Sequence, residues 1–136
     1  MPTPMNEAAS AVARAMTQQS DAERISFPEV LARLGEAGIE RYHVDLPGAV
    51  HSYYLPDGAV VTVSAHETPP AAAAFAPEEV ARAVAEIQRG QIDYRTFCAR
   101  VARAGCVGWH VSLIGRRVVY YGRTGDSHVE WFPGTR

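Results

Sequence analysis

Apolar positions recur along this chain at two periods, and the switches between them mark its elements. Ala9, Val12, Ala13 and Met16 fall at helical spacing. They predict a helix over Asn6–Gln18, with Asn6 as N-cap and Gln19, Ser20 and Asp21 interrupting it. A second helix is predicted from about Phe27 to Ala37. Ser26 and Glu29 form a capping-box pattern before it, Val30, Leu31 and Leu34 make its apolar stripe, and Gly38 ends it. The period then changes to two. Ile39–Leu46, Val50–Leu55 and Ala59–Ala65 read as strands, separated by turns at Pro47-Gly48 and Pro56-Asp57-Gly58. The stretch 67–76 holds two adjacent prolines and reads as a linker. Pro77 then opens a helix to about Arg89, burying Val80, Val84 and Ile87 and stopping at Gly90.

From Ile92 the pattern begins again. Ile25–Gly58 aligns without a gap on Ile92–Gly125, and twelve of the 34 positions are identical. The matches include Arg33/Arg100, Gly38/Gly105, His43/His110, Gly48/Gly115 and the tyrosine pairs 53–54 and 120–121. The expected fold is therefore α+β and internally duplicated: helix, helix and a three-stranded meander, written twice. If the copies meet edge to edge, one antiparallel sheet forms with the helices packed on one face. Residues 1–136 make one domain, with repeat 1 at about 5–66, the linker at 67–76 and repeat 2 at about 77–133.

Strand parity assigns faces. Tyr42, Val44 and Leu46, with Trp109, Val111 and Leu113, should meet the helices. Gly115-Arg116 suits a two-residue type II′ hairpin, with glycine taking the positive φ. That register pairs His110 with Tyr121 and Ser112 with Val119. In the first copy it pairs His43 with Tyr54 and Asp45 with Ser52. The candidate binding face is then His43, Asp45, Ser52, Tyr54, His110, Ser112, Arg117 and Tyr121. A three-residue loop would exchange the tyrosines of each pair.

Composition narrows the function classes. A net charge of −2 over 136 residues gives no electrostatic footprint for nucleic acid or an anionic membrane. No window approaches a membrane span and no leader is visible, so the expectation is a soluble, cytoplasmic protein. His51, His66, His128, Asp45 and Glu130 show no metal-site spacing, so neither metal nor cofactor is expected. Cys98 and Cys106 have no CxxC spacing, and Cys98 falls on an amphipathic helix where a buried filler role is expected. Arg33 and Arg100, near the ends of their helices, suit the helix dipole.

The run Gly90-Gln-Ile-Asp-Tyr-Arg-Thr-Phe-Cys-Ala, with Ala104-Gly105, Trp109-His-Val and Tyr120-Tyr121 through Gly125, resembles the YbcV-like family (domain of unknown function 1398) of uncharacterised bacterial and prophage-associated proteins. The resemblance runs from Phe27 onward and is most specific over residues 90–125. It implies a compact α+β fold and carries no activity.

The leading functional reading is a non-enzymatic binding or interaction module, with self-association as a homodimer part of it. The alternative is a small-ligand binder or enzyme that uses the His43/Tyr54 and His110/Tyr121 pairs in a cleft between the repeats. A phage-derived or host-regulatory protein acting on another protein is a third. The catalytic residues such an enzyme would use are not identified by any motif.

Overall fold

The computed structural model describes residues 3–134. The chain order is α1 (Glu7–Asp21), α2 (Phe27–Glu36), β1 (Arg41–Asp45), β2 (Val50–Tyr54), β3 (Val60–Ser64), α3 (Pro77–Gln88), α4 (Tyr94–Arg103), β4 (Cys106–Ser112), β5 (Arg117–Gly122) and β6 (Ser127–Trp131). The strands form one antiparallel sheet in the order β3-β2-β1-β4-β5-β6. The two meanders join through β1 and β4, which place His43 directly opposite His110. The helices pack on one side only, α1 against β3, α4 against β4 and α3 against β6.

The core is the face that parity assigned. Tyr42, Val44, Leu46, Trp109 and Val111 are buried. Leu113 is only half-buried, because it belongs to a turn and not to the strand. Phe97, Trp109 and Tyr120 meet with centroids 5.5–6.1 Å apart, an aromatic cluster beneath α4.

Helix α1 runs past its expected end. Gln19, Ser20 and Asp21 do not interrupt it, because this polar run has an inward side. Thr17 bonds the Ala13 carbonyl and the Tyr53 hydroxyl, and the Asp21 carboxylate takes the His66 backbone N–H at 2.9 Å. Helix α2 starts with the expected box: Ser26 accepts from the Glu29 N–H, and the Glu29 carboxylate accepts from Ser26. Gly38 follows its end with φ +86°.

The hairpins differ from the two-residue turn. The last paired residues are Asp45 with Val50 and Ser112 with Arg117, so 46–49 and 113–116 are four-residue loops. The positive φ falls on Ala49 (51°) and Arg116 (56°), and not on the glycines. Gly48 and Gly115 are needed for room. Asp45 Oδ1 accepts from Gly48 N at 3.2 Å, and Ser112 Oγ accepts from Gly115 N at 2.7 Å. A Cβ on Gly48 would stand 2.7 Å from Asp45 Oδ2, and one on Gly115 would stand 2.9 Å from Ser112 Oγ. Two extra loop residues shift the register by two. His43 therefore faces Ser52 and not Tyr54, and His110 faces Val119 and not Tyr121. An even shift preserves parity, so the faces hold while the partners change.

The linker is packed down. Ala72 N–H bonds the Ala102 carbonyl and Ala76 N–H the Ala104 carbonyl. Gly105, at φ +90°, lets the Ala74 carbonyl lie against its Cα, and a Cβ on Gly122 would stand 2.9 Å from Phe75. The segment is a strap over the start of β4.

Candidate functional site

The side of the sheet away from the helices is open, and its residues fall into cross-strand rows. At one level stand Tyr54, Arg41, Ser112, Arg117 and Trp131, on β2, β1, β4, β5 and β6. The next holds Ser52, His43, His110, Val119 and Val129, and the third Val50, Asp45, Gly108, Tyr121 and Ser127. All eight residues singled out from the sequence lie on this face, half-buried except His110, which is exposed.

Its centre is a stack of three rings. The imidazoles of His43 and His110 lie 4.4 Å apart and 27° from parallel, and the Tyr121 ring stands 5.8 Å from His43 and 5.5 Å from His110 at 20–21°. The Tyr121 hydroxyl meets His43 Nε2 at 2.5 Å. The His–Tyr hydrogen bond thus joins the two halves, where the sequence reading kept each pair within one half. Burial and then the Asp45 carboxylate raise the Tyr121 pKa, so the phenol keeps its proton at neutral pH and shares one hydrogen bond with His43 Nε2. Burial depresses the His43 pKa, followed by the neighbouring His110, while Asp45 opposes. Burial and then Arg41 depress that of His110. Both shifts favour the neutral imidazole.

Gly108 makes the stack possible. It lies opposite Tyr121 on β5 and Asp45 on β1. A Cβ there would stand 2.8 Å from the Tyr121 hydroxyl and closer still to the Val44 carbonyl. With no side chain in the way, the phenol crosses β4 to reach β1. Arg41 holds the corresponding place in the first half, opposite Tyr54, and its guanidinium carbon sits 3.9 Å above the Tyr54 ring. Tyr54 is thereby covered and does not reach His110. Arg117 lies over Trp131 in the same way, at 4.0 Å.

Two of the eight candidates have structural work. Asp45 and Ser112 hold the turns described above. Arg41, Gly108 and Trp131, which shape this face, were not foreseen. Strand parity from His43, His110 and the turn would have placed the first two, and Trp131 follows only once β6 is registered against Arg117.

The family model for DUF1398, a protein of unknown function, matches residues 57–129. The chain belongs to the DUF1398 family. No curated protein matches it. The matched stretch covers β3 through β5 and most of β6, and so includes Gly108, His110, Ser112, Arg117 and Tyr121 of the face, while Arg41 and His43 lie before it.

The remaining histidines of this DUF1398 chain lie on the helix side. His51 is buried (4% exposed), with Nδ1 3.2 Å from the Tyr53 hydroxyl, which is 2.7 Å from Thr17 Oγ1. His66 Nδ1 pairs with Asp21 at 2.7 Å, and His128 Nε2 with Glu130 at 2.6 Å. Among the described residues no three His, Cys, Asp or Glu gather to hold a metal. Burial pushes the Cys98 thiol up to about 12 and Cys106 to about 11, far from nucleophilic thiolates. Arg100 pairs with Glu86 at 2.8 Å, and so does more than face the helix dipole. No helix among the described residues is long and apolar enough to cross a membrane. The two best-defined cavities lie between α1 and α2 (about 440 Å³) and under the linker strap beside Leu46 and Thr68 (about 240 Å³); neither includes a residue of the open face.

Proposed function

We propose that this DUF1398 member is a non-enzymatic binding module that docks its partner on the open face of the sheet. The observation that carries the reading is the three-ring stack of His43, His110 and Tyr121 at the centre of a six-stranded face that no helix among the described residues covers. Aromatic rings with a polar edge give large contact area at low entropic cost, which suits an interface. The alternative, a His–Tyr acid–base pair in a cleft, has its histidines together, but neither of the two best-defined cavities adjoins them. A substrate there would sit in water.

Self-association is part of the proposal, and the β6 edge supports it. At the start of the other edge strand, Val60 N–H bonds the Thr3 carbonyl. On β6 the bonds from Phe132 N to Arg116 O and from Gly122 N to Asp126 O fix the ladder phase, which turns the backbone of Ser127 and Val129 outward. Two β6 strands paired antiparallel about Val129 place each His128 opposite the partner's Glu130. Internal duplication is supported by α2 and α4, and by β3 and β6, beginning and ending at the same offset as the sequence match.

Urea unfolding of the His43→Ala/His110→Ala variant tests the face. Residues kept for binding should cost under about 1 kcal/mol, since water can replace what exposed rings lose. A loss well above about 2 kcal/mol would assign them to the fold and remove the reading. Sedimentation tests the edge: a concentration-dependent dimer is expected, and Val129→Pro should abolish it. A strict monomer at tens of micromolar refutes self-association.

A further inference from the structure

We infer that the open face binds single-stranded RNA along the row Tyr54–Arg41–Ser112–Arg117–Trp131, an assignment that rests on the binding-module reading and names its partner. The row alternates ring and cation symmetrically about Ser112: aromatic, arginine, serine, arginine, aromatic. Each guanidinium lies on its outer ring, at 3.9 Å and 4.0 Å, which holds a long side chain in place. Arg117 has no carboxylate within ion-pair distance among the described residues, and its Nε bonds the Gly115 carbonyl at 3.3 Å. Arg41 has a loose contact to Glu40 at 3.4 Å, which a phosphate can displace. Asp45 is the one carboxylate at the outward strand positions, two rows away and bound to Gly48 N–H. The row therefore carries two arginines against the one carboxylate of Glu40 at its flank, on a chain of net charge −2.

A flat row calls for an extended ligand. Four inter-strand steps of about 4.8 Å make it about 19 Å long. A polyanion carrying planar bases can bond the guanidiniums through its phosphates and stack its bases on the arginine planes that lie over Tyr54 and Trp131, whereas an acidic peptide would use the charge alone. An open antiparallel sheet also gives splayed bases something to stack on, here the exposed His110 ring. RNA is favoured over DNA by the adjacent row. There Thr62, Ser52, His43 and His110 present hydroxyls and imidazoles able to bond a 2′-hydroxyl.

Fluorescence anisotropy of a labelled oligouridine titrated with the full chain at pH 7 tests this. Saturable binding is expected, weakened tenfold or more in Arg41→Ala/Arg117→Ala. Two phosphate contacts predict a salt slope of log K near about −1.4, falling toward zero in the double variant. Circular dichroism confirms that the variant is folded. No saturation at high micromolar protein, or binding undiminished in the variant, overturns the assignment. So does oligothymidine, duplex or polyglutamate binding as tightly as oligouridine. A chain that passes the unfolding test of His43 and His110 yet ignores RNA defeats the RNA assignment alone.

Discussion

Acid should destabilise this fold through one buried imidazole, His51. The hydrogens around it have a single consistent placement. The Thr17 hydroxyl donates to the Ala13 carbonyl at 3.0 Å, so the Tyr53 hydroxyl must donate to Thr17 Oγ1. His51 Nδ1 must then carry a hydrogen and donate to the Tyr53 oxygen, which fixes the tautomer of the neutral ring. Burial is the main cause that lowers its pKa from 6.5 to about 4, with nearby Asp21 opposing and His66 and His43 adding to the drop. The unfolded chain binds this proton from about pH 6.5 downward, and the folded chain does not until about pH 4. The contribution is therefore complete above pH 6.5 and is lost as pH falls through that window. The fall from 6.5 to about 4 amounts to about 3 kcal/mol in all, of which about 2 kcal/mol is lost between pH 7 and pH 5. His51→Asn keeps a donor near the Nδ1 position without a titrating ring. Urea unfolding of both proteins at pH 7 and pH 5 isolates the effect, because every other titrating group is shared. The wild type should lose about 2 kcal/mol more than the variant. Parallel losses would refute the claim that His51 is held neutral.

Five further substitutions probe the face and its supports. Gly108→Ala drives a methyl toward the Val44 carbonyl and the Tyr121 hydroxyl, and should cost about 1–3 kcal/mol in urea unfolding and break the Tyr121–His43 contact, a loss that NMR would read. Gly35→Ala, in α2 with only Leu113 nearby at 3.7 Å, should instead stabilise by about 0.5–1 kcal/mol. Ser112→Ala loses the bond to Gly115 N–H and should cost about 1 kcal/mol, while Ser52→Ala on the same face should be near neutral. His110→Ala removes a like charge and part of the burial of His43, so the His43 pKa should rise toward its ordinary value in an NMR titration; an unchanged value would mean the stack does not couple them.

The open face was legible because period two survives a wrong turn. His43, Ser52, Tyr54, His110 and Tyr121 point outward whichever even register the hairpins adopt, so parity alone sorted them. The partners were not legible. Glycine next to a polar residue three positions earlier looks like a φ-driven turn, but Asp45 and Ser112 reach forward to cap the loop, and their side chains occupy the space a Cβ would need. The end of α1 was misread for a related reason. Gln19, Ser20 and Asp21 are polar, yet Asp21 has His66 to bond, and that residue arrives from 45 positions away. His51 was hidden in the same way, since its polar partners Tyr53 and Thr17 meet only when α1 crosses the sheet.

The asymmetry of the face comes from one aligned pair of residues. Arg41 and Gly108 occupy matching places, each opposite the second tyrosine of the strand beside it. Where the residue is arginine, the tyrosine is covered by a cation and stays over its own strand. Where it is glycine, the ring fills the vacant surface and its hydroxyl bonds the histidine of the other half. His43 and His110 need no such device, because matching residues of two antiparallel central strands meet at one place only, and that place is theirs. The stack therefore belongs to neither half: β1 supplies one imidazole, β4 the other and the bare backbone, and β5 the phenol.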